Sequence, residues 1–220
     1  MTSYTPVKLA FNTVEPDGCE KDKAPIIFLH GITASKEYWN EIPKNLANAT
    51  KRKVYAIDSR NHGDSEWSEV FNFDCNVDDF LHFMDQIGVS KAILIGHSMG
   101  GITALKTALR AQSLTRLSDL QIQLKPTPDG RFEYKSNVTS LLETLKNSAD
   151  LMLEPTGVYD KPTCFIYGEL SPFRVKDAEE HIKTLFPNSK LVGIENAMHT
   201  VHNDCPQDFT EAVIKFILDQ

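Results

Sequence analysis

At 220 residues, 41% apolar and 24% charged, the chain has the composition of a globular protein built as one domain, or one domain with an insertion, large enough to bury a sizeable core. Its net charge of −7 is carried by interspersed acidic and basic residues, and no basic run could follow a phosphate backbone, which argues against nucleic acid as a partner. No apolar stretch is long enough to span a bilayer. Cys19, Cys75, Cys164 and Cys205 are widely spaced and form no C-x-x-C pair, a usage that favours a reduced compartment over a disulfide framework. The start, Met1 to Pro6, reads as neither a signal peptide nor an Arg-rich transit peptide.

Val7 to Val14 reads as a first strand, and the continuous apolar run Ile26 to Leu29, ending at His30-Gly31, as a buried parallel strand. Glu37 to Ala47 reads as a helix with Trp39, Ile42 and Leu46 on one face, which Pro43 kinks or splits. Val54 to Ile57 is the next buried strand, Val77 to Ile87 a helix with Phe80, Phe83, Met84 and Ile87 on one side. Ala92 to Ile95 is a strand and Ile102 to Arg110 a helix. Strands alternating with helices imply a mostly parallel sheet covered on both faces.

The alternation then breaks. Ala111 to Tyr159 holds no continuous apolar strand. Leu114, Leu117, Leu120 and Leu124 suit a helix, whereas Leu120, Ile122 and Leu124 suit a half-buried strand. Pro126-Thr127-Pro128-Asp129-Gly130 is a turn, and Val138 to Leu153 reads as one or two helices. The chain therefore divides into a core of residues 1–110 and 158–220 and a cap segment of residues 111–157. Regular order returns with a strand over Thr163 to Tyr167, a helix over Val175 to Phe186, a strand over Leu191 to Ile194, a loop containing His199, and a closing amphipathic helix from Phe209 to Leu218.

Gly96-His97-Ser98-Met99-Gly100-Gly101 lies where the Ala92–Ile95 strand meets the following helix. A G-x-S-x-G turn in that context is a nucleophile elbow, with Ser98 held at its tip. A serine hydroxyl is a weak nucleophile at neutral pH and needs a general base, most often a histidine oriented by a carboxylate. His199, in the loop after the last strand, fits that base; His202, closer to the closing helix, competes with it. The oxyanion of an acyl-transfer intermediate needs two N–H donors, expected from Met99, after the nucleophile, and from Ile32, in the loop after His30-Gly31. His97 is expected to pack beside the elbow, His62 to order its loop, Asp58 and Asp64 to accept local backbone hydrogen bonds, and His82 and His181 to be solvated. No set of side chains has metal-ligand spacing and no Gly-rich loop could cradle a phosphate. No metal or cofactor is expected.

At Phe28-Leu29-His30-Gly31, Asp58-Ser59-Arg60-Asn61-His62-Gly63-Asp64-Ser65 and Gly96-His97-Ser98-Met99-Gly100-Gly101 the chain resembles the α/β-hydrolases. Within them it resembles a narrower group, the bacterial YbfF-type esterases and the animal alpha/beta-hydrolase domain-containing protein eleven. The resemblance runs through about residues 4–110 and 129–218. It implies an α/β-hydrolase fold and a serine esterase or lipase acting on short acyl esters or acylglycerol lipids, and for the animal relatives a mitochondrial setting. A cytoplasmic setting is the alternative.

One departure from the family pattern is large. The helix after the elbow runs straight into Ala111-Gln112-Ser113, which resembles a later cap helix. About fifty residues of the family pattern are missing, including the central strand that should follow the elbow helix. In the narrower group the triad acid resembles an aspartate at the end of that strand, and no such position exists here. The other usual place for an acid reads Gly168-Glu169-Leu170-Ser171. Glu169 is the nearest carboxylate there and Asp177 the next, with a plain surface-loop residue as the other reading of Glu169. Two expectations follow: a serine ester hydrolase with Ser98, His199 and Glu169 as catalytic residues and Met99 and Ile32 as oxyanion donors, or a catalytically impaired relative that binds a ligand or a protein. Leu141, Leu142 and Leu145 are candidate acyl-pocket residues in the cap, or ordinary helix core.

Overall fold

The computed structural model describes residues 5–111, 124–126, 132–134 and 157–220. Four strands, β1 (Phe11–Val14), β2 (Ile26–Leu29), β3 (Val54–Ile57) and β4 (Ile93–Gly96), form one sheet in the order β1-β3-β2-β4. β2 is parallel to both β3 and β4, and β1 closes one edge antiparallel to β3. All four residues of β2 and of β3 are buried, so their continuous apolar runs reflect coverage of both sheet faces. On one face lie α1 (Ile42–Thr50) and α5 (Pro206–Leu218), packing Ile42, Leu46, Phe209, Val213 and Phe216 against Ile26, Phe28 and Ile95. On the other lie α2 (Phe73–Gln86) and α3 (Met99–Ala111), packing Phe80, Phe83, Ala104 and Ala108 against Ile27, Leu29 and Leu94.

Several boundaries differ from those expected, each for a local reason. The helix expected over Glu37 to Ala47 is split into a 3-10 turn at Lys36–Trp39 and α1. Pro43 falls in the first turn of α1, where its missing N–H leaves no hydrogen bond unmade. α2 begins at Phe73, a turn before Val77, because the Asn72 side chain accepts the Cys75 N–H at 2.8 Å and caps it. β1 is shorter than the Val7–Val14 strand expected. The N–H groups of Val7, Lys8 and Ala10 donate to the side chains of Asp79, Glu66 and Ser65 rather than to a strand. The helix expected over Val175 to Phe186 is a 3-10 turn, Val175–Ala178, followed by α4 (Glu179–Leu185).

A second sheet pairs β7 (Thr163–Gly168) in parallel with β8 (Ser189–Ile194). Among the described residues no strand joins β4 to β7, which is the gap left where the central strand was expected and not found. Side chains bridge it on both faces. Ile95 of β4 shares one apolar cluster with Cys164, Ile166 and Ile194, and Leu94 shares the other with Tyr159, Phe165 and Phe186. Cys164 of β7 is buried, with 1% of its surface exposed. β5 (Leu124–Pro126) and β6 (Phe132–Tyr134) pair antiparallel, which puts Leu124 in a strand; residues 120–123 and the turn expected after Pro126 lie outside the described residues. The helices expected over Val138 to Leu153, with Leu141, Leu142 and Leu145, lie outside the described residues. No described helix is long and apolar enough to cross a membrane.

Candidate active site

β4 delivers the chain to Ser98 and α3 leaves from Met99. Between them Ser98 has a backbone φ of +44°, a conformation that L-residues other than glycine rarely adopt and that marks strain held at a functional corner. The glycines on either side make the corner possible. A Cβ on Gly96 would run into the backbone of Gly100, and a Cβ on Gly100 would run into the Leu29 and His30 carbonyl oxygens. The Gly100 N–H donates to the carbonyls of His97 and His30 at 2.7 and 3.1 Å, and the His97 N–H to that of Leu29 at 2.8 Å. These bonds press the corner onto the end of β2. Ser98 is half-buried between the fully buried Gly96-His97 and Met99-Gly100. Gly100→Ala is therefore expected to cost about 3 kcal/mol, because backbone rather than a flexible side chain must yield. A denaturation curve checks this, and wild-type stability in the variant would contradict it.

The loop after β2 approaches the same corner. Ile32 packs against a small apolar cluster of Met99, Phe71 and Phe73, so the two residues expected to supply oxyanion donors are neighbours. Met99 is the first residue of α3, where an N–H has no partner inside the helix. Two buried histidines hold the loop. The Thr33 N–H donates to His62 Nε2 at 3.1 Å, and the Ser59 N–H to His30 Nε2 at 3.0 Å. The other ring nitrogen of each faces a carbonyl oxygen, His62 Nδ1 that of Arg60 and His30 Nδ1 that of Gly31, both at 2.7 Å. A carbonyl only accepts, so both imidazoles carry their proton on Nδ1 and are neutral. Burial pushes His30 down to about 4 and His62 to about 3. His62 thus orders its loop, as expected, and its partner is the residue after Ile32. His62→Phe leaves the Thr33 N–H without its acceptor and is expected to lower kcat by about 10- to 100-fold, less than complete loss of an oxyanion donor. Steady-state kinetics of the folded variant check this; an unchanged kcat would contradict it.

The rest of the Asp58–Ser65 segment is structural. Asp58, fully buried, accepts the Lys36 N–H, the Lys36 ammonium and the Asp64 N–H. Asp64 was expected to accept backbone hydrogen bonds; its carboxylate instead pairs with the Lys36 ammonium at 2.5 Å. Arg60 makes a two-pronged bond to Asp79 and donates to the Val70 carbonyl.

His199 reaches the elbow from the loop after β8. Its ring centre lies 6.0 Å from that of His97, the residue before Ser98. The loop is fixed at both ends. The Leu170 N–H donates to the Ala197 carbonyl at 3.0 Å, and the Asp204 carboxylate accepts the Met198 N–H at 2.9 Å and the Thr200 hydroxyl at 2.8 Å. Asp204 therefore clamps the residues on either side of His199. Phe173 stacks on the His199 ring, centre to centre 4.3 Å. Neither Asp204 nor Phe173 was singled out in the sequence; a threonine four residues before an aspartate, Thr200 and Asp204, is the one local signal for the first.

His202 is placed differently. It is 2% exposed and packed between Tyr38 and Trp39, both at 4.7 Å, and His97 at 5.2 Å. Burial pushes it down to about 3. It is a packing residue under the site, while His199 is half-exposed. His97 is fully buried beside the elbow, as expected. His82 and His181 are exposed on α2 and α4. Glu169 is exposed at the end of β7, with its carboxylate over Gly193 of β8. It lines a groove of about 280 Å³ with Tyr167, Ser171, Arg174, Lys176 and Asp177, a lining that does not include His199. Asp177 pairs with Arg174 at 2.7 Å. No group of three or more His, Cys, Asp or Glu side chains among the described residues could hold a metal ion.

Residues 24–116 match the model of the alpha/beta hydrolase fold family. An ethanol acetyltransferase 1 of Eremothecium cymbalariae is 39% identical, over 87% of this chain and 74% of the relative. An sn-1-specific diacylglycerol lipase ABHD11 of Danio rerio is 29% identical, over 99% of this chain and 84% of the relative. That alignment runs over 271 positions, whereas this chain has 220 residues, so the fish protein carries about fifty residues that are missing here. Among solved structures, a marine microorganism esterase superposes with a TM-score of 0.82 at 22% identity, covering 96% of this chain and 99% of its own.

Proposed function

The chain belongs to the α/β-hydrolase fold family, and from that premise we propose that it is a serine hydrolase of carboxylic esters, working through an acyl-enzyme on Ser98. The observation that carries this reading is the strained Ser98 at the β4–α3 corner, with φ +44°, facing a loop that brings His199 within 6.0 Å of the adjacent His97 ring. Ser98 Oγ attacks the acyl carbon and His199 takes its proton. The negative charge that develops on the carbonyl oxygen is met by the N–H groups of Met99 and Ile32. His199 then gives the proton to the departing alcohol oxygen, and a water activated by the same imidazole releases the acid. Glu169 is the proposed orienting acid, and Asp204 holds the base through its loop. Short acyl esters and acylglycerol lipids are the substrate classes, the second after the name of the fish relative. No cofactor takes part in these steps. A reduced compartment, mitochondrial or cytoplasmic, is the proposed setting.

The 39% identical relative is named for transfer of an acetyl group to ethanol, which favours a second reading of the same site: an alcohol in place of water as the acyl acceptor. Hydrolysis of p-nitrophenyl butyrate, with and without added ethanol, tests both. A burst of nitrophenol followed by slower turnover supports the acyl-enzyme, and ethyl butyrate among the products supports transfer. A folded chain that releases no nitrophenol would reject both and leave an impaired relative, for which the gap between β4 and β7 is the structural ground.

A further inference from the structure

We infer that Phe173, Leu170 and Met198 form the subsite for the alcohol half of the ester, and that this subsite selects apolar alcohols. The inference rests on the proposed function and adds to it which half of the substrate is recognised where.

The step that fixes the placement is proton transfer. When the Ser98 Oγ–acyl bond forms and the acyl–alkoxy bond breaks, the departing oxygen takes the proton that His199 accepted from Ser98. A group receiving a proton from an imidazole must sit within hydrogen-bond reach of it. The alcohol half of the ester therefore lies against His199, and the surface around His199 decides which alcohols fit.

Three apolar side chains lie on the loops that carry and touch His199. Phe173 lies on the imidazole at 4.3 Å between ring centres, tilted by 41°. Leu170 is tied by its N–H to the base of the His199 loop, and Met198 is the residue directly before His199. All three side chains are more than half exposed, Phe173 by 63%, Leu170 by 59% and Met198 by 51%. Three large apolar side chains are exposed on two loops that the Leu170 N–H to Ala197 bond joins, and one of them stacks on the imidazole; exposed apolar groups so placed offer the kind of surface that marks a ligand site. None of the three is buried in the core.

The test is a series of butyrate esters of methanol, ethanol, propanol and butanol, read as kcat/KM, beside a second series of ethyl esters with lengthening acyl chains. In the wild-type protein kcat/KM is expected to rise by roughly two- to fourfold per methylene of the alcohol, as each added group leaves water for the collar. Phe173→Ala is expected to flatten the alcohol series while leaving the slope of the acyl series unchanged, and Phe173→Leu to restore most of the alcohol slope. A wild-type protein that hydrolyses the esters with no dependence on the alcohol, or a Phe173→Ala variant that flattens the acyl series instead, would overturn the subsite while leaving the proposed function standing. A wild-type protein that hydrolyses none of the esters would overturn the function and the subsite with it.

Discussion

Ser98→Ala is expected to lower kcat by about 10⁵- to 10⁶-fold and His199→Ala by a similar factor, with the double variant no slower than either single one. The non-additivity is the informative part. If Ser98 Oγ attacks only while His199 removes its proton, either deletion destroys the same step, and the second has nothing left to remove. The activity left in all three would come from the oxyanion donors of Met99 and Ile32 and from binding. His202→Phe sets the contrast. His202 is 2% exposed among rings, so its loss alters packing and leaves kcat within about tenfold of wild type. Steady-state kinetics on the four variants, each shown to be folded by circular dichroism, check the set. Additive losses at Ser98 and His199, or a loss at His202 as large as that at His199, would contradict it.

Acid is expected to unfold this protein from a pH at which most carboxylates are still ionised. Burial holds His30 at about 4 and His62 and His202 at about 3, and holds His97 well below its ordinary value. Other charges modulate this: Glu37 and Lys36 act on His30 in opposite senses, His30 and Asp58 on His62, and His199 on His202. In the unfolded chain all four titrate near the ordinary 6.5. Below that pH the unfolded state takes up protons that the folded state refuses, so stability is fully present above about pH 6.5 and falls as pH drops toward 4 and then 3. At pH 5 each of His30, His62 and His202 costs about 2 kcal/mol. Together they remove roughly 6 kcal/mol, the whole stability of many domains. The expected result is a thermal midpoint that drops steeply from pH 6.5 to 5, with activity lost together with the fold. A midpoint constant across that range would contradict it.

The parts of the fold set by local pattern were legible in the sequence. The apolar runs of β2 and β3 mark buried strands, and that of β4 with the G-x-S-x-G turn directly after it marks the strand–turn–helix unit in adjacent residues. The lack of a strand between β4 and β7 among the described residues was legible too, as a helix after the G-x-S-x-G turn that runs into a segment with no continuous apolar strand. Element ends were less so. They turn on single side chains, such as the Asn72 cap that starts α2 and the first-turn Pro43 of α1. Within the site, His199 could be placed by chain order, but the choice over His202 became geometric only when one imidazole proved half-exposed and the other packed between Tyr38 and Trp39. The bond from Thr33 to His62, the Asp204 clamp and the stacking of Phe173 on His199 all depend on how separate loops meet. No periodicity or spacing encodes that. The proposed acid stands apart: the central strand that carries an aspartate in the family the chain resembles is missing from the sequence pattern, and Glu169 sits exposed just past the end of β7, over Gly193.

Labelling with a fluorophosphonate, followed by mass spectrometry of the digested protein, tests the activated serine most directly, because the probe reacts only with a hydroxyl made nucleophilic by its surroundings. Wild-type protein is expected to carry one adduct, on the peptide containing Ser98, with the labelling rate reduced at least about 100-fold by His199→Gln. An unlabelled Ser98 in a folded chain, or a labelling rate unchanged by His199→Gln, would contradict the account.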